Sequence, residues 1–236
     1  MTTAAALPDL SHWAGVARPG RVTLEGRYTR LEPLDPLRHG DALHAAATAP
    51  GMEDRFRYLF ESPPTDRADY QAALERAAVP EDPMAFAVID RATGRAEGRQ
   101  SLMRVDPVNG VIEVGSIMRG PAISRTPIST EAIYLFGSYV FETLGYRRFE
   151  WKCHSLNQPS QVAAVRLGFT YEGLFRQHMV AKGRNRDTAW FSMIDAEWPA
   201  LAAAFEAWLE PGNFDENGRQ KRTLDACRAV PAPVGA

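Results

Sequence analysis

The segment Arg125-Thr126-Pro127-Ile128-Ser129-Thr130 sets a cation, three hydroxyls and a proline at the head of an apolar helical repeat. A first helical turn leaves backbone N–H groups without partners and carries the positive end of the helix dipole, so it attracts anions. Free amides at Ile128, Ser129 and Thr130, beside Arg125 and the hydroxyls of Thr126, Ser129 and Thr130, would suit a pyrophosphate. Any exposed helix start has this character, so a second signal is needed before it identifies a ligand.

Other reactive side chains read as structural. Cys153 and His154 adjoin, but no third residue stands at a nucleophile-like spacing, and His39 and His44 are too awkwardly spaced on a helix to share a metal. Two cysteines exclude a disulfide framework and an all-cysteine zinc site, and no metal is expected. His178 lies in a strand pair, where contact with a substrate competes with plain packing or solvation. Lys182, Arg184 and Arg186 form a basic run that reads chiefly as a solvated turn, with an acidic ligand as the alternative. Loops usually shed aromatics, so Phe56, Tyr58 and Phe60 should line a pocket or plug the core beneath it. Trp151 and Trp190 are most simply core or sheet-face aromatics.

These residues must be held by a chain of 236 residues with 45% apolar and 24% charged side chains, enough for one sizeable core. A net charge of -2 supplies no global field for nucleic acid or a membrane, and neither is expected as a partner. Of 27 cationic residues only Lys152, Lys182 and Lys221 are lysine, a bias that a GC-rich genome would produce without function. No apolar stretch approaches the ~18 residues of a membrane span and no basic leader opens the sequence, so a cytoplasmic location is expected.

Residues 1–20 read as an arm broken by Pro8 and Pro19. Its Trp13 signals docking on the chain's own core or, in a homodimer, on a second subunit. VTLEGRYTRLEPL alternates as a half-buried strand. Helical spacing follows at 37–48 and 66–78, then three strands of a meander at 84–90, 98–105 and 111–118. The strongest helix covers 127–144, capped by Thr126, with Pro127 at the position where no donor is missed. A strand at 146–153, a helix at 157–168, a long hairpin and a helix at 197–209 complete the domain, 21–209. Residues 210–236 form a Pro-, Gly- and charge-rich tail, expected to be largely mobile.

From VIEVGSIM to SMIDAEWP the chain strongly resembles the GNAT (Gcn5-related) acyltransferases, in their RimJ/RimL branch, with the resemblance running from about Arg21 to Pro199. Asn157-Gln-Pro-Ser160, Arg166-Leu-Gly-Phe169 and Tyr171-Glu-Gly173 are its most specific parts. The resemblance implies an α/β (α+β) fold. Its central mixed sheet is mostly antiparallel, with a splay between two parallel strands and helices on both faces. Acetyl-CoA would lie in the cleft between VIEVGSIM and RRFEWKC, its pantetheine amides substituting for a strand.

The resemblance places the cofactor on the backbone near Ser116, Ile117 and Met118, on Arg125, Thr126, Ile128, Ser129 and Thr130, and on Asn157, Ser160 and Arg166. Ile128 and Thr130 replace glycines of the family's pyrophosphate loop, which limits close approach of the diphosphate. The family's thiolate-protonating tyrosine is Ala164 here, leaving Ser160 or solvent as the acid. Glu113 is the candidate base, with an exposed strand position or a partner role toward Arg104 or Arg119 as the alternatives. Strand alternation sets Glu113 and Ser116 on opposite faces unless a bulge intervenes, and Gly115 is the suggested bulge.

The function implied is N-acetyl transfer from acetyl-CoA to a primary amine by direct attack in a ternary complex. A small amine or an aminoacyl or peptidyl compound is the favoured acceptor, contacted by Phe56, Tyr58 and His178. The alternatives are a ribosomal-protein-type N-terminal acetyltransferase and a non-catalytic acyl-CoA-binding module.

Overall fold

A computed structural model describes residues 9–228. Eight strands form one sheet: β1 Leu24–Glu25, β2 Thr29–Pro33, β3 Met84–Asp90, β4 Ala96–Asp106, β5 Val111–Arg119, β6 Arg148–His154, β7 Thr170–Ala181 and β8 Arg184–Ile194. Their spatial order is β1-β2-β3-β4-β5-β6-β8-β7, antiparallel everywhere except β5 and β6. The expected mixed sheet with one parallel pair is therefore present.

Helices cover both faces. On one lie α1 (Pro36–Ala47) and α2 (Arg67–Ala78). Each starts at an aspartate: Asp35 accepts from the amides of Leu37 and Arg38, and Asp66 from those of Ala68 and Asp69. A cap of this kind contributes about 1 kcal/mol. On the other face lie α3 (Pro127–Ser138), which continues as a π turn over Tyr139–Thr143, α4 (Gln158–Leu167), α5 (Trp198–Leu209) and α6 (Leu224–Arg228). Phe136, Val140, Phe149, Phe191 and Phe205 are sealed within this larger core, while Leu43, Phe56 and Leu74 build a smaller one beneath α1 and α2.

Several expectations change in the folded chain. The first strand is two short strands joined by a turn, because the buried Glu131 carboxylate accepts from the amides of Arg27, Tyr28 and Thr29 at 2.7, 2.6 and 2.6 Å. A Cβ at Gly26 would come within 2.6 Å of that carboxylate, so the turn needs a residue without one. Thr126 occupies the N-cap of α3 but does not cap it: its hydroxyl donates to the Ile123 carbonyl. The tail is not wholly loose, since residues 211–228 pack on the domain, with Leu224 and Cys227 buried in the larger core. Residues 229–236 lie outside the described part.

Trp13 docks on its own chain. Its indole N–H donates to the Val108 carbonyl at 2.7 Å, its ring fills the space over Gly110, and the Arg147 guanidinium lies 5.5 Å from its centroid. Pro8 lies outside the described residues. None of the described helices is long and apolar enough to cross a membrane.

Candidate active site

The parallel pairing of β5 and β6 runs from Val111↔Arg148 to Val114↔Trp151 and then stops. Beyond that point β5 continues against β4 and β6 continues against β8, so the two diverge. The facing amides and carbonyls of 115–119 and 152–154 consequently lack a strand partner, and an extended ligand with amide groups can supply one. A bulge enlarges the opening on the β5 side. Arg99 pairs with Met118 and Ser101 with Gly115, so Ser116 and Ile117 together oppose Gln100. The bulge falls one residue after the expected Gly115, and Ser116 adopts a φ of 50° there. Met118 can contribute only backbone, because its side chain is buried in the smaller core.

Glu113 lies on the face of the sheet opposite α3 to α5. Its Oε2 accepts from Arg104 at 2.7 Å and lies 2.9 Å from the Lys152 ammonium. Lys152 also meets Glu150 at 2.6 Å, and its ammonium rests 3.7 Å from the Trp190 ring centroid. Arg148 extends the chain of charges from Glu150 to Glu172. The second oxygen of Glu113 has no hydrogen-bond or ion-pair partner among the described residues and is turned along β5: a Cβ on Gly115 would stand 3.5 Å from Oε1 and would collide with the Met103 sulfur. Glycine at 115 therefore keeps one carboxylate oxygen open toward the splay. Arg119 does not meet Glu113. It donates to the carbonyls of Arg99 and Met118 and to Gln100, and burial pulls it down to about 9.

At the head of α3, the amides of Ile128 and Ser129 have no acceptor among the described residues, and Arg125 is exposed with a φ of 63°. The expected hydroxyls are turned away. Thr126 and Ser129 both donate to the Ile123 carbonyl, at 2.8 and 2.5 Å, and the buried Thr130 accepts from Arg166 at 3.1 Å. The seven-residue loop from Gly120 to Thr126 leaves the Ile123 carbonyl without a ladder partner, and the Thr126 amide and these nearby hydroxyls satisfy it. What remains for an anion is Arg125 with two amides.

Arg166 has its own protein partners, Thr130 and the face of Trp208 at 4.9 Å, and so ties α4 to α3 and α5 rather than reaching outward. Asn157 caps α4, accepting from the Ser160 amide at 3.3 Å. Ser160 Oγ accepts from the Trp151 indole at 3.0 Å, at the point where the strands part, leaving the hydroxyl proton to donate elsewhere. Burial raises the Cys153 thiol above its usual range, with Ser160 acting the other way, which suits a packed thiol and not a nucleophile.

Of the aromatic segment, a 3-10 turn over Glu53–Tyr58 buries Phe56 at 1% exposure, so Phe56 plugs the smaller core and cannot contact a substrate. Tyr58 reaches the open end of β6, its ring 5.1 Å from that of His154. His154 accepts from the Leu156 amide on Nδ1, and burial followed by Arg186 lowers its pKa. His178 stands on the same sheet face, its Nδ1 3.0 Å from the Thr188 hydroxyl and its ring against Phe175 and Trp190. Burial, Arg104, Lys152 and Arg186 push its pKa down, opposed by Glu113. Thus Glu113, His178 and Tyr58 converge on one side of the splay, and Ser160, Asn157 and the α3 head on the other.

Lys152 was passed over in sequence, although β6 carries Arg148, Glu150, Lys152 and His154 in strict alternation. Four polar residues on one face of a strand paired on both sides mark a site or a buried ion network. Among the described residues no group of His, Cys, Asp and Glu is placed to hold a metal.

The family model for the acetyltransferase (GNAT) domain matches residues 30–170. A GCN5-related N-acetyltransferase from Brucella melitensis has 57% identity and a TM-score of 0.92, over 94% of this chain and 100% of that one. A GNAT-family structure from Chromobacterium violaceum has 36% identity and a TM-score of 0.76, over 83% and 98%. The N-acetyltransferase p20 of Bacillus licheniformis is 31% identical over 113 residues, which span 48% of this chain and 63% of that relative.

Proposed function

The chain belongs to the GNAT acetyltransferase family, and from that premise we propose that it moves an acetyl group from acetyl-CoA to a primary amine of a small or aminoacyl compound. One observation carries the reading: the β5–β6 ladder ends at Val114↔Trp151 with an unpartnered Glu113 oxygen beside the opening. Acetyl-CoA supplies a thioester that an amine can attack directly, so no covalent enzyme intermediate is required.

The residues divide the work. Backbone groups of Ser116 and Ile117, released from β4 by the bulge, bind the pantetheine arm and polarise the carbonyl. Arg125 and the amides of Ile128 and Ser129 hold the pyrophosphate. An amine with a pKa near ~10 arrives as ammonium, and Glu113 Oε1 takes its proton directly or through one water. Arg104 and Lys152 fix the other oxygen, so the carboxylate cannot rotate away. Ser160, held by Trp151, donates toward the departing sulfur, with solvent able to replace it.

Tyr58, His178 and Trp190 border the acceptor side with ring surfaces that suit a small amine. The deciding experiment is CoA release with a panel of amines, together with calorimetry of acetyl-CoA. Binding without release by any amine, unaltered in Glu113→Gln, would instead mark a non-catalytic acyl-CoA-binding module.

A further inference from the structure

Among the described residues near the site, Arg186 is a buried cation with neither a hydrogen bond nor an ion pair. It is 7% exposed, yet none of its nitrogens has a hydrogen-bond or carboxylate partner among the described residues, and its Nε is fully enclosed. The other buried charges around the splay are answered: Glu113 by Arg104 and Lys152, Glu150 by Arg148 and Lys152, Arg99 by Glu61, and Arg119, which has no carboxylate, by the Arg99 and Met118 carbonyls and Gln100. A buried cation without a counter-ion is strongly disfavoured, and burial does pull the Arg186 pKa down. Phe60 lies over it, its ring 4.5 Å from the guanidinium while remaining 55% exposed. A cation–π contact is a weak substitute for an ion pair in such a place.

The position is on the acceptor side. His154 and Thr188 are register partners at the open end of β6, and strand alternation sets Arg186 on the face of Thr188 and Trp190, about 7 Å further along β8. Around His178, Arg104, Lys152 and Arg186 outweigh Glu113, with Glu150 pairing Lys152 and Asp187 opposing near His154, and both histidines are held toward their neutral forms. This face of the sheet thus has a positive excess, and a planar guanidinium suits a carboxylate through two parallel hydrogen bonds.

We propose that Arg186 is the receptor for a carboxylate on the acceptor, so that the substrate is a small amino acid-like amine whose anionic end displaces Phe60 and pairs with the guanidinium. The proposal rests on the acetyltransferase reading and narrows its substrate class. Arg186 binds substrate and takes no part in proton transfer.

The test compares matched amines with the full chain: glycine, β-alanine and γ-aminobutyrate, each against its carboxamide, by CoA release. The amide has the less basic amine, so a preference for the acid cannot come from amine reactivity. At least one acid should exceed its amide about tenfold in kcat/KM, through KM. Arg186→Gln should bring that ratio near one without changing the KM for acetyl-CoA, and Arg186→Lys should restore part of it. Equal use of acids and amides, or an unchanged ratio in Arg186→Gln, overturns the proposal while leaving the acetyltransferase reading intact. Should no amine be turned over, calorimetry with the N-acetyl derivatives of the same acids and amides decides. Tighter binding of the acids that Arg186→Gln abolishes upholds the carboxylate receptor, and no preference overturns it.

Discussion

Glu113 stands on the next-to-last rung of the parallel pair and Lys152 one residue past its last rung, and their side chains meet at 2.9 Å with less than 6% of either exposed. The pair marks the place where the sheet stops being a sheet and becomes a binding cleft. It also divides the carboxylate into a fixed oxygen and a free one, and the following expectations start from that division.

Glu113→Gln keeps the shape of the side chain and removes its capacity to take a proton. We expect kcat/KM for the amine to fall by about a hundredfold or more, while acetyl-CoA affinity by calorimetry stays within about twofold. An unchanged rate would reassign the base to solvent.

Lys152→Met leaves Glu150 and Glu113 each with one remaining cation in a buried setting. A loss of about 3 kcal/mol in urea unfolding is expected. Glu150→Gln combined with Lys152→Met should cost less than the two single changes added, because the double variant removes a charge of each sign. Strict additivity would show that the contact contributes no coupling.

Gly115→Ala places a methyl group 3.5 Å from the free oxygen of Glu113. The Met103 side chain is flexible and can move aside, so the thermal midpoint should drop only slightly, by the equivalent of about 1 kcal/mol. Turnover should fall about tenfold as the methyl screens the base. A rate loss no larger than the stability loss predicts would remove the screening argument.

Arg125 has a φ of 63°, where glycine is at ease and alanine is strained. Arg125→Gly should raise the KM for acetyl-CoA about fivefold to tenfold, the loss of one charged contact to the diphosphate. Arg125→Ala should show the same KM change plus about 1 kcal/mol of lost stability. Equal stability of the two variants in chemical denaturation would contradict the strained-loop account.

His39, buried between Asp35 and Glu32, accepts from the Asp35 amide on Nδ1 and approaches Glu32 with Nε2. Burial lowers its pKa, against the pull of Glu32. The folded protein therefore binds fewer protons than the unfolded one once pH drops below about 6.5, the unfolded value. Stability should fall with acidification from that point until the folded pKa is passed, and should be insensitive to His39 above pH 7. The slope of unfolding free energy between pH 7.5 and 5 should be shallower in His39→Gln; equal slopes would show that another group carries the acid loss.

Much of the fold was legible because it is written locally. Asp35 and Asp66 cap helices where acidic residues precede helical spacing, and the meander from 84 to 118 declares itself by alternation and turn residues. The Lys182-Gly183 turn, with both residues at positive φ, closes the long hairpin as a tight turn should. The break in the first strand was not legible, since it depends on Glu131, a residue one hundred positions away whose carboxylate claims three amides. The docked tail was missed for the same reason: Leu224 and Cys227 look like ordinary residues until the larger core receives them.

The site divides along the same line. The sequence by itself carried the resemblance to the family, which implied the parting strands and the candidate role of Glu113, while the residues at the head of α3 pointed to an anion site because a first helical turn leaves amides free. Only the tertiary structure decided which polar groups are free. Thr126, Ser129, Thr130 and Arg166 were spent on partners within the fold, whereas Glu113 Oε1 and Arg186 were left open. Hydrogen bonding and ion pairing saturate, so a group's availability depends on every neighbour that might claim it, and those neighbours are assembled by the fold.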